Sequence, residues 1–294
     1  MPGALMTAAR PFALVAALAG LLASTACGGA SGPKIALRFH PPAGAAYSYQ
    51  LEQQNSIKFE TGPMSRMPGQ AFTMRMYYTQ SVDGPAEGGT GITVKFDSTT
   101  LESPMMGPDA MKPALDRMRG LTSTIVYDDR MNVVRAQFGG VAGTPSPLTD
   151  QMGKSVKNMA FPLPAEPVGV GDSWTSETEL PISQLVRTST PLKAKSKLTV
   201  KNIKIAGADT TIVLAVETSF PTDPVTVTQE GQTSTLRFSG TLTGERQFSV
   251  SRGAPLSSTM SGTMRINARG GQLGAAGMTM AMEQRTSLQL TDGK

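Results

Sequence analysis

The chain has 294 residues, enough to bury a sizeable core without help from disulfides. With 39% hydrophobic and 17% charged residues, 31 Gly and 21 Pro, it is neither a highly charged disordered tail nor a membrane helix bundle, and it reads as a turn-rich globular protein. One Cys and one His leave no disulfide framework, no Cys/His zinc site and little for a histidine-dependent triad, while the +5 net charge comes from cations scattered among 22 acids, which argues against nucleic acid as a partner.

Arg10 precedes an apolar run from Pro11 to Leu22, the layout of a secretory signal peptide spanning residues 1–26. The run is short of the roughly 20 residues that a spanning helix needs. It closes on Ala23-Ser24-Thr25-Ala26-Cys27-Gly28-Gly29, which resembles the lipobox of bacterial lipoproteins. That resemblance implies that Cys27 is acylated on sulfur and becomes the new N-terminus. Gly28 after the Cys, rather than Asp, is similar to lipoproteins sorted to the outer membrane. The expected address is therefore the bacterial cell envelope, lipid-anchored to the outer membrane and facing the periplasm. Ordinary cleavage after Ala26, giving a soluble secreted or periplasmic protein, is the alternative. Residues 27–33 form the lipidated Cys and a flexible small-residue tether with a reach on the order of 15 Å.

From Lys34 onward, strict alternation dominates. Ile92, Val94 and Phe96 share one face against Thr93, Lys95 and Asp97, and Leu236 and Phe238 do the same against Thr235 and Arg237. Near the end of the chain Met278, Met280, Met282, Leu288 and Leu290 hold one parity over an unusually long stretch. The pattern predicts a mainly β fold: a large curved antiparallel sheet or partial barrel made from two tandem repeats. One or two short helices interrupt it. Asp109–Met118 is one candidate, and Leu148–Phe161, with Leu148, Met152, Val156 and Met159 along one stripe, is the other. Pro162-Leu163-Pro164-Ala165-Glu166-Pro167 then forms a stiff connector.

The two halves look like copies. Gly44 with the strand Tyr47–Glu52 corresponds to Gly171 with Ser173–Glu177, and each half continues through a glycine-bearing turn, at Asp83-Gly84 or Ala206-Gly207. Each also has a hairpin about a polar turn, at Asp128–Asn132 or Ser251–Pro255. The expected organisation is a first β repeat over 34–140, a helix and Pro-rich connector over 141–170, and a second β repeat over 171–294.

The stretches Gly44–Glu52, Val168-Gly169-Val170-Gly171-Asp172-Ser173-Trp174 and Gln247–Leu256 resemble a family of exported bacterial lipoproteins with a duplicated β unit and a Gly-Asp-Ser-Trp signature, a family of uncharacterised function. The resemblance covers most of the mature chain. It implies an architecture and an address and no reaction.

Each chemically suggestive residue also has a structural reading. Asp172 suits a turn before a strand and Trp174 suits the core, so both are assigned structural roles. Nothing in the sequence ties Ser173 to His40, the only histidine. Asp128-Asp129 with Asn132 lacks calcium-loop spacing and reads as a turn, and Glu177 and Glu179 read as a solvated strand face. The 18 methionines allow three readings. They pack a core, they hold a thioether copper(I) site, or they line a plastic apolar cavity in which Met278, Met280 and Met282 face a helix bearing Met152, Val156 and Met159. No cofactor is expected. Together these features describe a non-enzymatic envelope lipoprotein that binds an apolar or amphiphilic ligand or an envelope protein partner, similar in outline to half-barrel carriers of lipoproteins and lipids. The alternative is a structural or assembly lipoprotein with a filled core, and a hydrolase is the third class.

Overall fold

The computed structural model describes residues 34–104, 107, 112–139, 162–179, 193–207, 209–229, 232–271, 274 and 276–293. The signal segment, Cys27 and the tether lie outside the described residues, as does the stripe of Met152, Val156 and Met159.

The strands are β1 (Ala46–Thr61), β2 (Gln70–Ala86), β3 (Gly89–Glu102), β4 (Thr122–Tyr127), β5 (Val133–Gly139), β6 (Ser173–Glu179), β7 (Lys193–Ala206), β8 (Asp209–Ser219), β9 (Val225–Gln229), β10 (Gln232–Ser249), β11 (Ala254–Gly270) and β12 (Met278–Gly293). They form one 12-stranded sheet in the order β5-β4-β3-β2-β1-β12-β11-β10-β8-β7-β6, with β9 paired to β10 beside β8. All of its pairings are antiparallel.

The expected curved sheet or partial barrel is not what forms, and the expected helix over Leu148–Phe161 lies outside the described residues. The sheet is open, with β5 and β6 at opposite ends of the pairing order, and it neither closes nor curls. Closure needs edge strands that pair with a fixed stagger, and alternation along single strands carries no information about that. Of the expected helix over Asp109–Met118, the described residues form one turn, α1 (Lys112–Asp116), with a 2.8 Å ion pair between Lys112 and Asp116.

The strand order of the first half recurs in the second. Reading inward from one edge, β5-β4-β3-β2-β1 is matched by β11-β10-β8-β7-β6, with β12 inserted between the two sets and β9 an addition to the second. The proximal end is defined here by the start of β1 at Ala46 and the distal end by its last residue, Thr61.

Alternation makes the sheet two-faced. The outward face carries Glu52, Lys58, Arg75, Lys197, Arg237, Arg265 and Arg285, and the inward face carries the apolar residues. Two apolar clusters occupy that inward face. The proximal one includes Leu37, Tyr49, Ile125, Leu163, Leu214 and Phe248, each no more than 2% exposed. Burying a large side chain so fully contributes about 1.5–3 kcal/mol. The distal cluster gathers Ala194, Phe220, Phe238 and Met264, with Met282 and Ile266 packed against them.

A polar belt lies between the clusters. Gln53 pairs with Thr286 and Asn55 with Gln284 across β1 and β12, on the parity of Leu51 and Ile57. Asn55 is only 5% exposed and its Nδ2 finds no hydrogen-bond partner among the described residues. Leaving such a group unmade costs about 1–3 kcal/mol.

Candidate functional site

Two places combine unusual chemistry with defined geometry: a strap across the proximal end and the distal half of the inward face. Residues 34–45 form the strap. Ile35 exchanges 2.9 Å backbone hydrogen bonds with Val168 in both directions, and the Phe39 amide donates to the Asp129 carbonyl at 2.8 Å. Arg38 donates to the carbonyls of Pro164 and Ala165 and pairs with Asp129. Farther along, a Cβ added to Gly253 would strike the backbone of His40 and Pro41. The strap thus touches both polar hairpins, one from each repeat.

Both hairpins are clasped by an aspartate. Asp128 accepts from the amides of Arg130 and Asn132 and from the Asn132 side chain. Burial works to raise its pKa, but the hydrogen bonds from Asn132 and Arg130 hold it below the usual carboxylate range. Asp209 accepts from the hydroxyls of Ser249 and Ser251, and those bonds, the Ser251 one first, likewise lower its pKa.

Asp172 and Trp174 belong to this end. The Asp172 carboxylate accepts from the Gly169 amide at 3.0 Å and pairs with Lys34 at 3.1 Å, which lower its pKa. The Trp174 indole donates to the Pro162 carbonyl at 3.0 Å. In the other repeat the Tyr47 hydroxyl donates to the Arg252 carbonyl at 3.0 Å and the Tyr49 hydroxyl to that of Pro255 at 3.1 Å. Tyr49 stacks on Tyr78 at 5.4 Å, and burial pushes the phenol of Tyr49 far above its ordinary pKa. Burial alone raises Tyr127 to about 12. Beside the strap a depression of about 460 Å³, open to solvent, is lined by Pro42, Gly44, Tyr47, Arg252 and Gly293.

In the distal half the structure brings Met278, Met280 and Met282 side by side, all half-buried on the inward face. Met280 lies opposite Phe59 on β1 and Ile266 on β11, and Met282 lies opposite Ile57 and Met264. Met152, Val156 and Met159 are outside the described residues, so their relation to this face is not defined. His40 and Ser173 are both exposed, and no hydrogen bond joins them among those described. Glu177 forms ion pairs with Lys193 and Lys195 on the outward face. Among the described residues no group of three His, Cys, Asp or Glu is placed to hold a metal.

The sequence reading missed the belt and Arg246. Desolvation lowers the Arg246 pKa to about 10 on an inward position opposite Leu214 and Ser258. The signal was present as polar residues on an otherwise apolar parity, Gln53 and Asn55 between Leu51 and Ile57.

No protein-family model and no curated protein matches the chain. The fold does match a solved structure described as lipid-protein interactions in lipovitellin. The TM-score is 0.50 at 8% identity, over 87% of this chain and 26% of that one. At that identity the likeness concerns the fold alone, and this chain corresponds to about a quarter of the lipovitellin chain. Among the described residues no helix is long and apolar enough to cross a membrane.

Proposed function

We propose that the chain is a non-enzymatic, exported cell-envelope protein whose broad sheet serves as a structural or assembly element with a filled proximal core. The observation that carries this reading is the packing under the strap. Leu37 and Leu163, both 0% exposed, come from segments outside the sheet and lie in the same cluster as Leu214, Ile125 and Phe248. Space that a carrier would keep for a guest is occupied there by the chain's own side chains. Export and attachment through Cys27 rest on the signal segment and the lipobox-like residues.

A second reading, binding of an apolar or amphiphilic ligand on the distal inward face, is favoured by half-buried Met278, Met280 and Met282. The fold it shares with part of lipovitellin, a structure described by its lipid-protein interactions, also supports it. Replacing Met280 by Trp separates the two. In a filled core the larger ring overpacks and costs typically about 1–3 kcal/mol. On a face that receives ligand, the ring is accommodated while uptake weakens. Denaturant melts of Met280→Trp, read beside binding of a fluorescent fatty acid to the unsubstituted chain, decide the matter. A large stability loss with no probe binding supports the structural role, and probe binding that Met280→Trp weakens at little cost in stability overturns it.

A further inference from the structure

Cations that are scattered along the sequence are gathered by the sheet at its distal end. Lys58, Arg66, Arg237, Arg265 and Arg269 are all exposed there, on β1, the 62–69 turn, β10 and β11, against Glu60 and Glu283 on β1 and β12. Glu60 is itself engaged with Arg265 at 3.4 Å. Lys58 and Arg265 occupy one row, both opposite Ala281 of β12.

Apolar side chains reach the same end. The turn between β1 and β2 reads Gly62-Pro63-Met64-Ser65-Arg66-Met67-Pro68-Gly69, with Met67 41% exposed. The turn is ordered by hydrogen bonds from the Ser65 amide to the Gly62 carbonyl and from the Met67 amide to the Met64 carbonyl. It abuts the neighbouring hairpin end. A Cβ on Gly62 would strike the Gly277 carbonyl, one on Gly277 would strike Arg269, and the Thr279 amide donates to Thr61 Oγ1 at 3.0 Å. Met67, Arg66 and Arg269 therefore belong to one tip.

We propose that this distal tip docks on an anionic lipid surface, Met64 and Met67 entering the interface while Arg66, Arg269 and Lys58 meet lipid phosphates. Charge complementarity selects the partner: each basic residue near such a surface strengthens binding about fivefold, and flanking methionines add apolar contact that a soluble polyanion does not offer. The tip lies at the opposite end from Lys34, where the N-terminal tether joins the fold, along the 16 residues of β1, a length of about 50 Å at roughly 3.3 Å per residue. It is thus a contact separate from a lipid on Cys27, and it is independent of whether the inward face is filled.

The test uses the full chain carrying Met67→Trp, so that the signal comes from the tip and not from the N-terminus. Adding vesicles rich in phosphatidylglycerol should shift the new indole's emission to the blue, vesicles of phosphatidylcholine alone should not, and high salt should reverse the shift. Arg66→Gln and Arg269→Gln should each weaken the response about fivefold. Lys58→Gln serves as a second probe if either variant is poorly folded by circular dichroism. Equal response to both vesicle types, insensitivity to salt, or unchanged binding in the Gln variants overturns the proposal, as does a tip that ignores vesicles and binds an acidic polypeptide instead.

Discussion

Gly44 and Gly171, in different halves of the chain, make matching backbone contacts. The Gly44 amide donates to the Val82 carbonyl at 2.9 Å and the Gly171 amide to that of Val200 at 2.8 Å. The Val82 amide donates back to Ala45 at 2.8 Å, and that of Val200 to Asp172 at 2.9 Å. Both glycines have positive φ, 79° and 91°. Each starts the first strand of its repeat by turning the chain into a left-handed conformation that only glycine adopts cheaply. Gly44→Ala and Gly171→Ala should each cost about 1–2 kcal/mol, the ordinary penalty for a side chain in that region. A Cβ at Gly44 meets nothing within 4 Å, so its cost is conformational alone. Urea melts check this, and a neutral Gly44→Ala would contradict it.

Three residues after each of these glycines comes an aromatic whose polar tip is tied to a carbonyl, Tyr47 to Arg252 and Trp174 to Pro162. Tyr47→Phe and Trp174→Phe should each keep the fold and lose about 1 kcal/mol, the net worth of a typical hydrogen bond, with the indole position losing some packing as well. Equilibrium melts followed by far-ultraviolet circular dichroism measure both. Loss of folding in either variant would mean that the aromatic does more than close its own end of the repeat.

Much of this was legible in the sequence, and the reason is local. The parity of Ile92, Val94 and Phe96, the turn at Gly207 and the hairpins near Asp128 and Ser251 are written in neighbouring residues, and they also disclosed the repeated strand order; the turn expected at Asp83-Gly84 falls instead at Glu87-Gly88, and Gly84 lies inside β2 at a register shift against β3. Closure was not, because it depends on whether β5 and β6 pair with each other, and those strands stand at opposite ends of the pairing order. The strap was equally hidden. Leu37 and Phe39 look like any short apolar alternation until Val168 and Asp129 are seen to hold them. The gathered distal cations needed the register of β1, β10, β11 and β12, which no window of sequence contains.

Glycines inside β10 and β11 make a different demand from Gly44. A Cβ on Gly244 would strike the Thr259 carbonyl, and one on Gly262 the Thr241 carbonyl, both backbone atoms that cannot swing aside. Gly244→Ala should therefore cost roughly 3 kcal/mol, more than Gly44→Ala, because the two longest neighbouring strands must separate to admit a methyl group. Comparing the two variants in the same denaturant series tests the order, and a smaller loss at Gly244 would show that the strands part easily.

The clasped aspartates should contribute to the acid sensitivity of the fold. The pKa values of Asp128, Asp172 and Asp209 are lowered in the folded chain, Asp172 chiefly by the Gly169 amide and Asp209 chiefly by the Ser251 hydroxyl. A group with a depressed folded pKa binds fewer protons folded than unfolded, so its stabilisation is fully present above its unfolded pKa, about 3.9 for Asp. It fades as pH falls below that value and is gone once the folded pKa has been passed. Stability should thus be level in this respect near neutrality and decline below about pH 4. The hairpin aspartates can be separated from the rest, since Asp128→Asn and Asp209→Asn remove the titration. The double variant should be less stable than the parent near neutrality and should lose less on acidification, so that the two curves converge at low pH. Urea midpoints taken from about pH 6 down to about pH 2 record this directly. Parallel curves over that interval would place the acid sensitivity elsewhere, in carboxylates such as Glu52, whose pKa is lowered first by its hydrogen bond to Arg75.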